Sequence, residues 1–149
     1  MLIREAKEID VPSLLDFQLK MALETENITL DISSLTMGVY RLFKDATKGR
    51  YYVAEEDAEV VGCLMTTFEW SDWRNGTVLW IQSVYVAREH RGKGVYKEMY
   101  NHIKQLVETD PDLKGIRLYV DKTNEAAQHT YRKIGMNGEH YTVYEWMKS

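Results

Sequence analysis

The apolar positions change period several times along the chain, and each change marks an element. Leu2-Ile3-Arg4 reads as a short strand. Asp10 stands where a helix cap belongs, Pro12 falls in the first turn, and Leu14, Leu15, Leu19 and Ala22 follow at helical spacing. Behind Asp31 a second helical stripe runs through Ile32, Leu35, Val39, Phe43 and Ala46 and stops at Gly49. Residues 51–54, 60–70 and 77–86 then read as three strands, separated by the turn-like Glu56-Asp57-Ala58-Glu59 and by a polar loop ending in Asn75-Gly76. Connections this short permit only an antiparallel meander. Val95, Met99, Ile103, Leu106 and Val107 restore the helical period until Pro111 breaks it. Residues 115–121 alternate like a strand, residues 124–134 form a helix closed by Gly135, and residues 141–147 read as a last strand. The order β-αα-βββ-α-β-α-β predicts a mixed α/β fold, a largely antiparallel sheet flanked by about four helices.

Composition narrows this further. A chain of 149 residues without repeats or a Gly/Ser-rich linker is expected to form a single domain over residues 1–149. Nineteen basic against 23 acidic residues leave a net charge of −4, which argues against general nucleic-acid or anionic-membrane binding and suits a cationic small molecule. The single cysteine, Cys63, excludes a disulfide framework and a Cys-rich zinc site, and its apolar strand predicts a core position. A reducing, cytoplasmic setting is expected from that cysteine usage and from charges where a secretory leader needs an apolar core. No apolar run approaches the ~20 residues that span a bilayer. His90, His102, His129 and His140 lack metal-ligand spacing, so no metal is expected.

The first stretch with chemistry in it is Arg88-Glu89-His90-Arg91-Gly92-Lys93-Gly94, a basic loop between a strand and a helix. Glycines let backbone N–H groups approach a ligand, and a helix start adds orphan donors and the positive end of a dipole. The combination is an anion cradle, most naturally for a pyrophosphate; the plainer alternative is a glycine turn with solvated charges. P-loop spacing is absent, and the third small residue of a dinucleotide fingerprint would fall on Lys97.

The segment Ser83-Val84-Tyr85-Val86-x4-Arg91-Gly92-Lys93-Gly94, followed by a helix, resembles the acetyl-CoA loop of the GNAT family of N-acetyltransferases. Downstream, Asn124-Glu125-Ala126-Ala127-x3-Tyr131-Arg132-Lys133-Ile134-Gly135-Met136 is similar to that family's Asn-x2-Ala-x3-Tyr-x3-Gly-Phe segment, and the element order agrees over essentially the whole chain. The resemblance implies the GNAT fold and acetyl-CoA as cosubstrate. It implies that the backbone of Val84, Tyr85 and Val86 pairs with the pantetheine arm, and that the amides of Arg91, Gly92, Lys93, Gly94, Val95 and Tyr96 hold the pyrophosphate. Asn124 and Ala127 would also meet the cosubstrate, Tyr131 would be the general acid, and a homodimer is implied by analogy. The alternative for Tyr131 is a packed core tyrosine. Where the family often carries Gln or Arg, Glu89 stands, and it is expected to face away from phosphate; bulky Tyr96 is expected to shift the cosubstrate or stack beside it.

A tyrosine phenol can protonate a leaving thiolate, and the N–H of Val84 is the expected oxyanion donor. The base is less direct. Polyamine acetyltransferases of this family often have Glu where Gln82 stands, and Gln82 accepts no proton at neutral pH. Glu24, Glu26, Glu69 and Asp72 are candidate carboxylates, each with a solvated surface position as the alternative. Trp70 and Trp73, beside Glu69 and Asp72, resemble the aromatic-acidic segment of diamine and polyamine acetyltransferases and suit an ammonium group, or else serve as packing anchors or a dimer contact. The expected reaction is direct transfer to a primary amine of a small, cationic acceptor. Alternatives are a protein N-terminus, an aminoglycoside, or a CoA-binding sensor without turnover.

Overall fold

The computed structural model describes residues 1–149 and divides them into two compact units, Met1–Leu118 and Tyr119–Ser149. The first unit is built on a five-stranded sheet in the order β1 (Leu2–Glu5), β2 (Arg50–Glu56), β3 (Glu59–Ser71), β4 (Gly76–Val86) and β5 (Leu113–Arg117). Its first four strands are antiparallel, and β5 runs parallel to β4. Helices α1 (Val11–Glu26), α2 (Ile32–Lys44) and α3 (Val95–Thr109) complete it.

Alternate residues of a strand point to opposite faces, yet Tyr51, Tyr52, Val53 and Ala54 of β2 are all buried. Both faces are therefore covered. On one, Tyr51, Val53, Cys63 and Tyr85 pack with Val11, Leu14 and Phe17 of α1 and Val39 and Leu42 of α2. On the other, Val95 and Met99 of α3 crowd Gly62, where a side chain would come within 3.2 Å of Val95 Cγ1. The sequence stripe Val95, Met99, Ile103 is the buried face of α3, and Cys63 is a fully buried core thiol as expected.

Asp10 departs from its expected role. Its carboxylate does not cap α1; it turns back to accept from Arg4 Nη1 at 2.8 Å, Arg4 Nη2 at 3.0 Å and the Lys7 amide at 2.7 Å. These bonds, Arg4 foremost, hold its pKa below the usual carboxylate range despite burial. A depressed folded-state pKa contributes stability that is complete above the unfolded value and is lost as pH falls through the folded one. Asp10→Asn is expected to cost about 1–3 kcal/mol at neutral pH, since it removes the charge of the nearer of the two carboxylates that Arg4 pairs with, leaving only Glu55 at 3.6 Å. Urea titrations should show that deficit shrinking as the wild-type carboxylate becomes protonated at acid pH.

In the second unit α4 (Glu125–Lys133) is the one regular element. Asp121, the last residue of the strand expected over 115–121, turns the chain: its Oδ1 accepts from the Thr123 amide at 2.8 Å and hydroxyl at 2.6 Å. β5 occupies Leu113–Arg117 and not residues 115–121; its pairing with β4 ends at Arg117 opposite Trp80. The strand expected over residues 141–147 is not formed. Its alternating aromatic and aliphatic pattern is present, but a strand needs a neighbour to satisfy its main chain, and no backbone–backbone hydrogen bond involves any residue beyond Met136. The elements otherwise follow the expected order, and the mixed α/β architecture with a mainly antiparallel sheet stands.

Candidate active site

The site begins with an irregularity in β4. Cys63 faces Tyr85 and Met65 faces Gln82, so Leu64 alone opposes both Ser83 and Val84. That is a β-bulge, and Ser83 takes a left-handed φ of +56° to make it. Such a conformation persists only when the surroundings hold it. Here Gln18 of α1, buried in the core, donates through Nε2 to the Ser83 carbonyl at 3.2 Å, and the Cys63 thiol donates to the same oxygen at 3.5 Å. Burial pushes the Cys63 pKa up to about 12, so the thiol keeps its proton and acts as a donor rather than a nucleophile. On its other side β4 is paired with β5 only from Thr77 to Trp80. The main chain of Val84, Tyr85 and Val86 thus lies beyond the last paired residue on that edge.

The loop after β4 combines two left-handed glycines with open space and unpaired backbone donors. Gly92 and Gly94 have φ of +74° and +81°, and a side chain built at either would meet no protein atom within 4 Å. Gly94 caps α3, and the amides of Gly92, Lys93, Gly94 and Val95 have no acceptor in the protein. Unpaired donors, open space and a helix start suit a phosphate group. Glu89 sits in the short 3₁₀ turn Arg88–His90 and is exposed. The Tyr96 ring stacks on Tyr100 one turn along, with centroids 6.3 Å apart.

Arg91 is held in a fixed place. Its Nε donates to the Val86 carbonyl at 2.8 Å, its Nη2 reaches Glu24 Oε2 at 2.7 Å, and its guanidinium lies 5.1 Å from the Tyr85 ring centroid. Glu24 also accepts from the Tyr85 hydroxyl at 3.2 Å and lies 3.6 Å from Arg88. The Arg91 hydrogen bond holds the Glu24 carboxyl below its usual range, while burial, then the Glu24 charge, pushes the Tyr85 phenol up. With its ring against Phe17 at 5.1 Å, Tyr85 turns its side chain to α1.

The expected acceptor carboxylates thus separate into two kinds. Glu24 is paired with Arg91. Glu69 is paired as well: Trp80 Nε1 donates to Oε1 at 2.8 Å and Arg117 Nη1 to Oε2 at 2.6 Å, which depresses its pKa, the Trp80 bond first. Glu69 therefore ties β3, β4 and β5 together. Glu26, the last residue of α1, and Asp72, in the β3–β4 turn, remain exposed; Asp72 accepts from the Trp73 amide at 2.9 Å. Trp70 and Trp73 are 66% and 92% exposed, so they do not anchor the core of this chain. Gln82 is half-buried on β4 opposite Met65.

In the second unit, Asn124 caps α4: its Oδ1 accepts from the Ala127 amide at 3.1 Å. Tyr131 is half-buried, and burial raises its phenol pKa. Gly135, at φ +94°, ends the helix, and the Met136 amide closes it on the Tyr131 carbonyl at 3.0 Å. Sequence reading missed the parts played by Gln18 and Arg117 and the left-handed backbone of Ser83. Gln18 had a signal, a lone amide inside the α1 apolar stripe; a left-handed serine and the partner of Glu69 had none.

The acetyltransferase (GNAT) family model matches residues 19–136 of the chain. A crystal structure of "a possible acetyltransferase" from Clostridium difficile 630 is 43% identical, with 99% of this chain and 97% of that one covered and a TM-score of 0.93. An aminoglycoside acetyltransferase from an uncultured soil metagenomic sample, in complex with sisomicin, is 18% identical over 99% and 95% of the two chains, with a TM-score of 0.77. A transcriptional regulator from Bacillus halodurans shares the fold at 19% identity, 98% and 99% coverage and a TM-score of 0.82. No curated protein matches the sequence.

Proposed function

Because this chain belongs to the acetyltransferase (GNAT) family, we propose that it moves an acetyl group from acetyl-CoA to the primary amine of a small, cationic acceptor by direct transfer. The observation that carries the reading is the run of unpaired amides from Gly92 to Val95 at the start of α3, with open space where two glycine side chains would be. Acetyl-CoA supplies an acyl group already activated as a thioester. In this reading the loop amides from Gly92 to Tyr96 hold its pyrophosphate; the Arg91 amide expected among them donates instead to the Arg88 carbonyl at 3.3 Å, and the Arg91 guanidinium is kept in place by Glu24 and the Val86 carbonyl. Val84, Tyr85 and Val86 lend main-chain groups to its pantetheine arm as an added strand would. The Val84 N–H donates to the carbonyl oxygen as negative charge builds there. Asn124 and Ala127 meet the cosubstrate from α4, and Tyr131 gives a proton to the departing sulfur.

No strong base stands at Gln82, so the acceptor reacts as its unprotonated fraction, with Glu26 or Asp72 taking the proton through water. Those two carboxylates, with the faces of Trp70 and Trp73, receive the acceptor's cationic portion. Glu24 and Glu69 contribute little to that, because Arg91 and Arg117 already answer their charge. A steady-state thiol-release assay with a panel of amines, aminoglycosides included, tests the reading. Asp72→Asn and Glu26→Gln are each expected to raise the KM of a diamine about fivefold, the equivalent of about 1 kcal/mol for a close charge pair in water. The KM of a monoamine should move less and that of acetyl-CoA not at all. Absence of thiol release with every amine, alongside tight CoA binding, would turn the reading to a CoA-binding sensor; preference for a neutral acceptor would overturn the cationic-amine assignment alone.

A further inference from the structure

We infer that Gln18 and Cys63 are positioning residues for acetyl transfer: through the Ser83 carbonyl they aim the Val84 N–H at the carbonyl oxygen of the bound thioester. The inference rests on the reading of the chain as an acetyl-CoA-dependent acetyltransferase. The Ser83 C=O and the Val84 N–H belong to one peptide unit. No peptide bond in the chain is cis, and in a planar trans peptide the two groups point in opposite directions. Fixing the oxygen therefore fixes the N–H. Two donors fix it: Gln18 Nε2 at 3.2 Å and the Cys63 thiol at 3.5 Å. Gln18 Nε2 also lies 3.6 Å from Cys63 Sγ, which closes the three groups into a triangle. Gln18 is 4% exposed and Cys63 is fully buried, so both donors are shielded from water.

The direction matters as much as the fixing. The Ser83 oxygen is drawn toward α1 and β3, so the Val84 N–H is turned away from both, toward the edge on which pairing with β5 has ended at Trp80. The bulge opposite Leu64 and the left-handed φ of +56° at Ser83 supply the rotation that a regular strand lacks. A left-handed serine does not sustain itself. Without the two donors the peptide is free to turn toward a commoner conformation and takes the N–H with it. The same bonds strengthen the N–H, because an amide that accepts at its oxygen is polarised and donates more strongly at its nitrogen. Acyl transfer calls on that donor once. The acceptor nitrogen's lone pair forms the new N–C bond, and the C=O π pair moves onto the carbonyl oxygen, where the Val84 N–H meets the charge. The pair returns as the C–S bond breaks; sulfur leaves with that bond's electrons and takes a proton, and the amine's own proton passes to water. Neither Gln18 nor Cys63 touches a reacting atom. A buried amide in an apolar helix face and a buried thiol that keeps its proton thereby share one task.

Acetyl-CoA labelled with carbon-13 at the thioester carbonyl tests this without an acceptor. When it saturates the wild-type chain, its carbonyl resonance should move downfield, as that of a C=O does on accepting a hydrogen bond. Gln18→Met keeps the side chain's length and removes its donors, so it should lose about half of that shift or more. With an amine that is turned over, the same variant should lower kcat roughly 10–10²-fold, short of the roughly 10²–10³-fold cost of deleting an oxyanion donor outright, while the KM of acetyl-CoA and the affinity for CoA stay within about twofold. A merely structural role would move affinity and stability together and leave the carbonyl shift alone. Cys63→Ala should lose less than Gln18→Met, and Cys63→Ser, which restores a donor, should recover most of the alanine loss; that pair decides the matter if Gln18→Met does not fold. An unchanged carbonyl shift and kcat in Gln18→Met overturn the inference, as does equal loss in Cys63→Ala and Cys63→Ser. Absence of a downfield shift in the saturated wild type also overturns it, even where thiol release establishes acetyl transfer. If no amine supports thiol release yet the shift is present and is lost in the variant, the acetyl-transfer reading falls and the aiming of the Val84 N–H stands.

Discussion

Replacing Tyr131 by phenylalanine is expected to lower kcat by roughly 10²–10⁴-fold, the ordinary worth of a positioned proton donor, while acetyl-CoA affinity and thermal stability stay close to wild type. The ring is half-buried on α4 and its removal would open a cavity; phenylalanine keeps the ring and deletes only the hydroxyl. A packing role and a proton-transfer role therefore part company in this one variant. Burial raises the phenol's pKa, so the group keeps its proton through neutral and mildly alkaline solution. The wild-type rate should accordingly climb with pH over that range, as more acceptor amine loses its proton, with no falling limb below the usual tyrosine value near ~10. In the Phe variant the climb should persist on a much lower plateau, because the acceptor and not Tyr131 governs it. An unaltered kcat with an amine that the wild type turns over would return Tyr131 to a purely structural part.

How much of this was legible in the sequence depended on the range of the interactions involved. The helices α1 and α3 and the meander β2–β3–β4 follow from short-range periodicity and turn chemistry, and they appear where Leu14, Met99 and Asn75-Gly76 put them. The bulge at Ser83 was not legible. It exists because Gln18, 65 residues away in sequence, meets the Ser83 carbonyl once α1 has docked on the sheet, and no local pattern encodes a left-handed serine. The carboxylates show the same limit. The sequence singles out acidic residues as candidates, but whether a charge is available depends on its partner, and the partners of Glu24 and Glu69 come from 67 and 48 residues away. The last strand failed for a related reason. Residues 141–147 have the pattern of a strand, and pattern specifies which face is apolar without supplying the neighbouring edge.

Gly94→Val is expected to weaken CoA binding by roughly 5–150-fold, the equivalent of about 1–3 kcal/mol of backbone strain and lost approach. Gly94 sits at φ +81°, where an L-residue is strained, and it caps α3. Some of that strain will appear as lost stability of the free protein, about 1–2 kcal/mol, so affinity has to be read on a folded variant below its melting transition. No protein atom lies within 4 Å of the new Cβ. The new Cβ therefore clashes with nothing in the protein and takes up open space beside a loop whose amides are unpaired. Gly94→Ala separates the two contributions: it carries nearly the same backbone strain with less bulk, so it should lose less affinity than the valine variant while losing similar stability. The acceptor KM should be untouched in both. Calorimetry with CoA gives the affinities directly. Equal CoA affinity in wild type and a folded Gly94→Val would mean that the phosphate is held somewhere other than this loop, whereas a graded loss from glycine to alanine to valine is what a cradle of backbone amides requires.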